Sequence, residues 1–527
     1  MSRIKEILRS FIPEWRLIVA AVLSSVIAAL AFPDVGMDFL VLVSLSPILV
    51  AVVLTNPTRR AAFVAGWISG FLFFFLTCWW LAHAPIEYAG VNPLIAYFLI
   101  AIVCGISALF PALFLMLMAG LLKRFGSTSL VAAPFVWLLT DFLRYWITGN
   151  NWNSLGYALA FSDFVRLSAF GGVALLTFLV ASMSTAFALV TIYLLRAESR
   201  KLLGMRIGIA ATWSIVVVTI SVPYVFSSGS PAPVDRKLRV VTVQPNVPMS
   251  GLTAEQYRTL LAKHFKLAGD EIAKIDGAED VLVVFPESPM LFRYGSDEAL
   301  RSFFARYALT NDVSLMFNST EWTEDSTGLT NSALVVAPTG KLAAKYDKYY
   351  LLPFGEFSPL PGPLEDFVPS FVGSFTPGKS TEPIEVGALR AGVMICFESH
   401  FGSLGRTYAT SGADLLIEMT NDGYLGNTPV LRQHLANSVV RAVESGLPLV
   451  RSTNVGITAL ITPDGKILDE APVYTEASRQ WLINASKREP TPYTSHGEVF
   501  FWFCSAIGLA LSFLGLRKGR TPVRNSQ

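Results

Sequence analysis

From Leu17 to Phe226 the chain is a succession of apolar runs, and that pattern leaves a lipid bilayer as the solvent it must fold in. The runs fall at about Leu17–Phe32, Phe39–Leu54, Phe63–Ala82, Pro93–Leu122, Leu130–Thr148, Ser168–Leu195 and Ile207–Phe226, and an eighth, Val499–Leu516, closes the chain. Each approaches the roughly 20 residues a helix needs to cross a hydrocarbon core. Composition agrees: 52% of the 527 residues are hydrophobic and only 15% are charged, too few for a soluble protein of this size. Arg3, Lys5, Arg9 and Arg16 ahead of the first run give it the look of a signal peptide. No small-residue cleavage site follows it and six more runs do, so it reads as an anchor.

Lys and Arg in the short loops give an orientation. They gather before the first run, at Arg59-Arg60, at Lys123-Arg124, between Arg196 and Arg206, and after the last run at Arg517-Lys518-Gly519-Arg520. The loops Pro33–Asp38, His83–Asn92 and Asn150–Phe164 contain none. Every second connection is basic, which sets both termini in the cytoplasm and residues 228–498 on the far side of the membrane. Asp141 and Arg144 share a face late in the fifth run. They read as a pair fixing helix packing, with a lipid-headgroup contact as the alternative.

The central region has another character. A Ser-Ser-Gly-Ser-Pro-Ala-Pro linker opens it. Short apolar runs follow: Leu238–Val243, Val281–Phe285, Val313–Phe317, Ser332–Ala337, Arg390–Ile395, Leu415–Met419, Leu449–Ser452 and Ile457–Ile461. Helical patterns such as Thr253–Ile275 and Thr428–Ser445 lie between some of them. This is the pattern of a layered α/β domain, and about 260 residues suffice to bury its core. A net charge of +2 offers no basic face for nucleic acid.

Three of the four cysteines, Cys78, Cys104 and Cys504, sit inside apolar runs, where a thiol is an inert filler. Cys396 alone lies outside them, at the end of the strand-like Ala391–Ile395 and two residues before Glu398. With no second thiol or paired histidine near it, it implies neither a disulfide nor a metal site. Two more segments carry candidate chemistry. Val281-Leu-Val-Val-Phe-Pro286-Glu287 stops a strand at proline and presents Glu287 at its tip. Tyr346-Asp-Lys348-Tyr-Tyr-Leu-Leu-Pro-Phe-Gly-Glu356 brackets an irregular apolar segment with Lys348 and Glu356. A thiol needs a base to take its proton, and an ammonium beside it stabilises an oxyanion. Glu, Lys and Cys together suffice for acyl transfer through a thioester. A Cys396–His400 pair is a weaker alternative, because His400 lacks a local orienting group.

At these residues the chain resembles the nitrilase, or carbon-nitrogen hydrolase, superfamily, whose members use a Glu-Lys-Cys triad. Tyr-x-Lys348-x-x-Leu-x-Pro-Phe-Gly-Glu356 is the most specific of the matching motifs. With membrane runs on both sides, the match narrows to the membrane-embedded branch that N-acylates apolipoproteins. Leu30-Ala-Phe-Pro33, Thr420-Asn-Asp422 and Arg451-Ser-Thr-Asn-Val-Gly-Ile-Thr-Ala459 extend the resemblance over nearly the whole chain. It implies a multi-pass α-helical membrane domain of about eight transmembrane helices plus an extracytoplasmic αββα sandwich. The expected divisions are a membrane domain at 1–228, a catalytic domain at 236–490, and a last helix with cytoplasmic tail at 491–527.

The resemblance further implies Glu287 as general base, Lys348 as oxyanion stabiliser, Cys396 as nucleophile, and Glu356 and Glu398 as supporting acids. Asn421, Asp422, Tyr424 and Leu425 are the candidate substrate contacts. Phe357, Phe371 and Val372 are candidate apolar cover, with Phe367–Val372 dipping toward the membrane. The implied reaction moves a fatty acyl chain from a phospholipid, through a thioester on Cys396, to the free α-amino group of a lipoprotein's diacylglyceryl-cysteine. No cofactor or metal is expected, and the chain is expected to act as a monomer in a bacterial inner membrane. Some positions depart: Phe285 stands where the family usually has Trp, and Gly423-Tyr424-Leu425 where it has Ala-Trp-Phe. These bear on acyl-chain or headgroup preference. The rival readings are a membrane-tethered amidase hydrolysing small amides and a non-catalytic scaffold, the latter opposed by the complete Glu287/Lys348/Cys396 set.

Overall fold

A computed structural model describes residues 9–196, 203–225, 232–249, 252–277, 279–287, 290, 292–358, 373–487 and 489–517. The linker core 226–231, the stretch Phe367–Val372 with Phe371 and Val372, and the basic tail Lys518–Arg520 lie outside the described residues. The chain divides into two compact units. One comprises residues 1–79, 94–226 and 498–527, and the other residues 80–93 and 227–497.

The first unit is helical. Its helices are α1 (Trp15–Ala31), α2 (Ser46–Thr55), α3 (Arg59–Cys78), α4 (Pro93–Ser107), α5 (Leu109–Phe125), α6 (Ala133–Thr148), α7 (Ser168–Leu195) and α8 (Leu203–Val225), with Val499–Leu516 at the end. Among the described residues, seven helical segments are long and apolar enough to cross a bilayer. The first expected span is shorter, a 17-residue helix, or about 26 Å at 1.5 Å per residue. The chain is a membrane protein. In such a unit helices associate by close packing rather than by escape from water, so small residues mark the contacts. At Gly66, where α3 meets α5, a Cβ would lie 2.6 Å from the Pro111 carbonyl oxygen.

Asp141 and Arg144 do pair, at 2.7 Å. Arg144 also donates to the Trp152 carbonyl at 2.9 Å and to Ser154 Oγ at 2.9 Å, while Ser154 donates to Asp141 at 2.6 Å. Both charges are spent inside the protein, which supports the packing role. Arg144→Leu is expected to strand a buried carboxylate at a cost of about 3–5 kcal/mol. The unfolding midpoint in detergent checks this, and an unchanged midpoint would count against the packing role.

The second unit is built on two six-stranded sheets. Strands β1 (Ala232–Gln244), β2 (Asp280–Val284), β3 (Ser314–Trp322), β4 (Leu329–Val336), β5 (Leu342–Asp347) and β12 (Ala477–Lys487) form one, in the order β12-β1-β2-β3-β4-β5. The other is β11-β10-β9-β8-β7-β6, from β6 (Ile384–Val386), β7 (Leu389–Ile395), β8 (Leu415–Thr420), β9 (Leu449–Thr453), β10 (Ala459–Ile461) and β11 (Ile467–Leu468). Each sheet has a parallel centre, β1-β2-β3 and β7-β8-β9, with antiparallel strands at its edges. Parallel centres are covered on both faces, which is why these strands read as unbroken Val/Leu/Ile runs.

One face of the first sheet packs on helices α9 (Ala254–Ile272) and α10 (Glu298–Asn311), through Phe265, Phe285, Phe292, Phe304 and Phe317. Thr253 and Gln256 close a capping box that starts α9, and Asp297 caps α10. The two sheets meet where Ser452 of β9 donates to the Val284 carbonyl of β2 at 3.1 Å. Helices α11 (Gly402–Thr410) and α12 (Val430–Ser445) pack on the second sheet. At Gly392 a Cβ would stand 2.4 Å from the Tyr408 ring, so only glycine admits that ring against β7. The result is the expected αββα sandwich. β5, β6, β11 and β12 lie outside the apolar runs of the sequence. β12 runs beside β1 at the sheet edge, where Arg479, Gln480 and Asn484 interrupt any apolar run.

Candidate active site

Glu287, Lys348 and Cys396 come from three strand ends, separated by 61 and 48 residues of sequence, and converge. β2 ends because Pro286 has no N–H to offer. The next carboxylate, Glu287, turns inward and accepts from Asn331 Nδ2 at 2.9 Å. Its charge acts on the Cys396 thiol. β5 ends at Asp347, and the backbone N–H of Lys348 still bonds to the Asn331 carbonyl of β4 at 2.8 Å. That bond fixes where the lysine side chain starts. Its ammonium, 2% exposed, sits 2.8 Å from Glu356 and 4.0 Å from Glu287. Glu356 reaches back to accept the Leu352 N–H at 2.8 Å, closing the irregular segment on itself.

Cys396 follows β7 with φ of 52°, in the left-handed region. A non-glycine residue held there costs of order 1–3 kcal/mol, which the surroundings must offset. Glu398 supplies part of that. It is fully buried and accepts from Ile395 N at 2.8 Å, Tyr349 N at 2.7 Å, Tyr350 N at 3.0 Å and Tyr346 Oη at 2.7 Å. One carboxylate thereby ties the residue before the cysteine to the residues after the lysine. Burial pushes Glu398 up to about 7, against the pull of those donors.

The charges of the site follow from burial and from one another. Burial alone would lower Lys348, but Glu356 and then Glu287 outweigh it and hold the ammonium charged well above its ordinary range. Burial and the Glu287 charge push the Cys396 thiol up, with Lys348 opposing. Burial pushes Glu287 up; Lys348 pulls it back, Glu356 adds to the rise, and Asn331 and the thiol oppose it. The resting set is therefore a neutral thiol beside a carboxylate of raised basicity and a fixed cation.

The other expected residues are placed unevenly. Asn421 is buried, accepting from Gly423 N and Asn454 Nδ2. Asp422 is buried too, bonded to Arg451 at 2.8 Å and His434 at 2.7 Å, and despite its burial Arg451 and His434 hold it at about 2. Both are bonded to internal partners. Tyr424 is 45% exposed and Leu425 half-buried. Tyr424 packs edge-on to Tyr88, with ring centroids 5.8 Å apart. Tyr88 lies in the connecting loop His83–Asn92, which forms part of this unit. His400 stacks flat on Phe397 and its carbonyl accepts from Arg441.

Asn331 was not legible in the sequence. One amide nitrogen serves both Glu287, at 2.9 Å, and Glu356, at 2.7 Å, and so sets the spacing of the two carboxylates around the lysine. The available signal was a polar Asn in the β4 run Leu-Thr-Asn-Ser-Ala-Leu-Val-Val. His434 is one of five histidines spread along the sequence, with no motif around it. Among the described residues, no group of His, Cys, Asp and Glu is placed to hold a metal ion.

Residues 243–492 match the carbon-nitrogen hydrolase family, and residues 24–186 match the apolipoprotein N-acyltransferase N-terminal domain. The sandwich and its strand-end site, joined to apolar helices, define a membrane-embedded carbon-nitrogen hydrolase. Apolipoprotein N-acyltransferases resemble the chain over nearly its full length. That of Geobacter metallireducens is 27% identical over 94% of this chain and 95% of its own. That of Haemophilus influenzae is 28% identical over 97% of each. That of Allorhizobium ampelinum is 29% identical over 95% and 97%. The crystal structure of Saccharomyces cerevisiae Nit3, a nitrilase-superfamily member, aligns with 49% of this chain and 93% of its own, at 19% identity and a TM-score of 0.39. The chain belongs to the apolipoprotein N-acyltransferase family.

Proposed function

We propose that the protein transfers a fatty acyl chain from a phospholipid to the α-amino group of a lipoprotein's N-terminal diacylglyceryl-cysteine, through a thioester on Cys396. The observation that carries the mechanism is the convergence of Glu287, Lys348 and the left-handed Cys396 on one point, in a chain of this family. The chemistry resides in residues 236–490. The loop charges support a periplasmic location for that region in a bacterial inner membrane; in sequence it follows the helices of 1–228 and precedes the anchor and tail of 491–527.

In the first half-reaction Cys396 Sγ attacks the ester carbonyl while Glu287 takes the thiol proton. Lys348 stabilises the resulting oxyanion; its charge, already held by Glu356, needs no reorganisation. Collapse breaks the C–O bond, and the departing lysophospholipid oxygen recovers the proton from Glu287. In the second half-reaction the amine attacks the thioester and Glu287 accepts a proton from the amine nitrogen. The C–S bond breaks, and the sulfur regains a proton as the amide is released. Both substrates use one site in turn, the ping-pong pattern of a covalent enzyme. Glu398 and Asn331 exchange no proton and form no bond to the acyl group; they hold the three groups in register.

The test is full-length protein in mixed micelles with labelled phospholipid and a diacylated lipopeptide. Amide formation on the lipopeptide, with lysophospholipid released in equal amount, is expected. Release of free fatty acid with no acylated peptide would overturn the reading in favour of a hydrolase.

A pH dependence follows. The base must be ionised to act, and Glu287 is raised from its ordinary value of 4.5. Thioester formation should therefore fall on acidification with a midpoint above 4.5, not below it. Stopped-time trapping of the acyl-enzyme across pH reads that limb, and a midpoint at or under 4.5 would remove Glu287 from the role.

A further inference from the structure

The left-handed backbone at Cys396 needs a support that the described catalytic groups do not supply. Its carbonyl oxygen lies 3.1 Å from Nε2 of His434, which projects from α12 and is 4% exposed. The Nδ1 side of the same ring lies 2.7 Å from Asp422 Oδ1. Arg451, completely buried, grips Asp422 Oδ2 at 2.8 Å and Glu418 at 2.6 Å, and Ser438 donates to the other Glu418 oxygen. Ser399 Oγ, 3.1 Å from Nε2, donates in turn to the Cys396 carbonyl. Glu418 Oε1 is 3.2 Å from Nε2.

We infer that His434 is a positioning residue for the acyl transfer: held by Asp422, it donates through Nε2 to the Cys396 carbonyl and keeps the nucleophile in its left-handed turn. A carbonyl can only accept, so the hydrogen bond to it is donated by the Nε2–H. Asp422, itself gripped by Arg451, holds the ring from its Nδ1 side. The Asp–His–Ser juxtaposition has the outline of a hydrolase triad. Ser399 is fully buried, however, and its hydroxyl is committed to the cysteine's own carbonyl, so the arrangement holds the nucleophile and attacks nothing.

This inference rests on Cys396 being the acylated residue, and the experiment separates the two. Full-length wild type, His434→Gln and His434→Asn are compared in micelles. A glutamine amide reaches the place of Nε2 and an asparagine amide that of Nδ1. H434Q is expected to form the Cys396 thioester within about fivefold of the wild-type rate. H434N is expected to fall about 100-fold in kcat, the scale of a misplaced reacting atom, with phospholipid KM unchanged. Alkylation of Cys396 by iodoacetamide, read by peptide mass spectrometry, should follow the same order. Equal rates in the two variants, a change in KM alone, or equal loss of fold in both would overturn the positioning role. Absence of any thioester in the wild type would instead overturn the reading of Cys396.

Discussion

Cys396→Ala is expected to abolish the acyl-enzyme and with it lipopeptide acylation, a loss on the order of 10^6-fold, the scale seen when a covalent nucleophile is removed. Incubation with labelled phospholipid, followed by intact-mass analysis, should give an acyl adduct on the wild type that hydroxylamine releases, and none on the variant. The substitution is small, and alanine bears the same left-handed strain as cysteine, so the fold should persist. The other three cysteines cannot take over. Cys78, Cys104 and Cys504 are all buried among the helices of the first unit. Cys396→Ser should be nearly as inactive, because a serine hydroxyl beside a carboxylate lacks the intrinsic nucleophilicity of sulfur. A C396A protein that still acylates lipopeptide would sink the proposed mechanism outright.

Lys348→Met is expected to produce the second largest effect, for two separable reasons. The oxyanion loses its cation; one such donor is worth about 10^2–10^3 in rate, or roughly 3–4 kcal/mol. Glu287, 4.0 Å from the ammonium and raised by its burial, also loses the cation that pulls it back down. A Glu287 that takes up a proton no longer serves as base, and the combined loss should then exceed 10^3-fold. Glu356→Gln tests the partition. It keeps the ammonium and a hydrogen-bonding side chain, removes one charge, and should cost far less than Lys348→Met. Single-turnover trapping of the thioester measures both. A Lys348→Met enzyme slowed only a few-fold would show that the oxyanion is stabilised elsewhere.

The catalytic candidates were legible because each is announced by local backbone chemistry. Proline before Glu287 stops a strand, the apolar and aromatic segment between Lys348 and Glu356 fits neither helix nor surface loop, and Cys396 is the one thiol outside hydrocarbon-like surroundings. The membrane helices were legible for a blunter reason: in lipid a run of about 20 apolar residues has one stable form. The residues around the triad were not legible. Asn331 and His434 are polar side chains on otherwise ordinary elements, and nothing in a run such as Leu-Thr-Asn-Ser-Ala tells which way the asparagine turns. At Asn421 and Asp422 the sequence shows a polar loop, while packing turns both side chains inward toward Asn454, Arg451 and His434.

The chain's own order of residues settles that there are two regimes, lipid-seeking helices and a two-sheet sandwich, and it supplies the glutamate, lysine and cysteine at strand ends, because hydrophobic period and strand-stopping residues act over a few positions. Only the tertiary structure decides that β2, β5 and β7 deliver those ends to one place, that Asn331 spaces two carboxylates about one ammonium, and that His434 lies under the cysteine. Such contacts join residues tens to hundreds of positions apart, and their strength comes from burial in a low-dielectric interior that exists only once both sheets have closed.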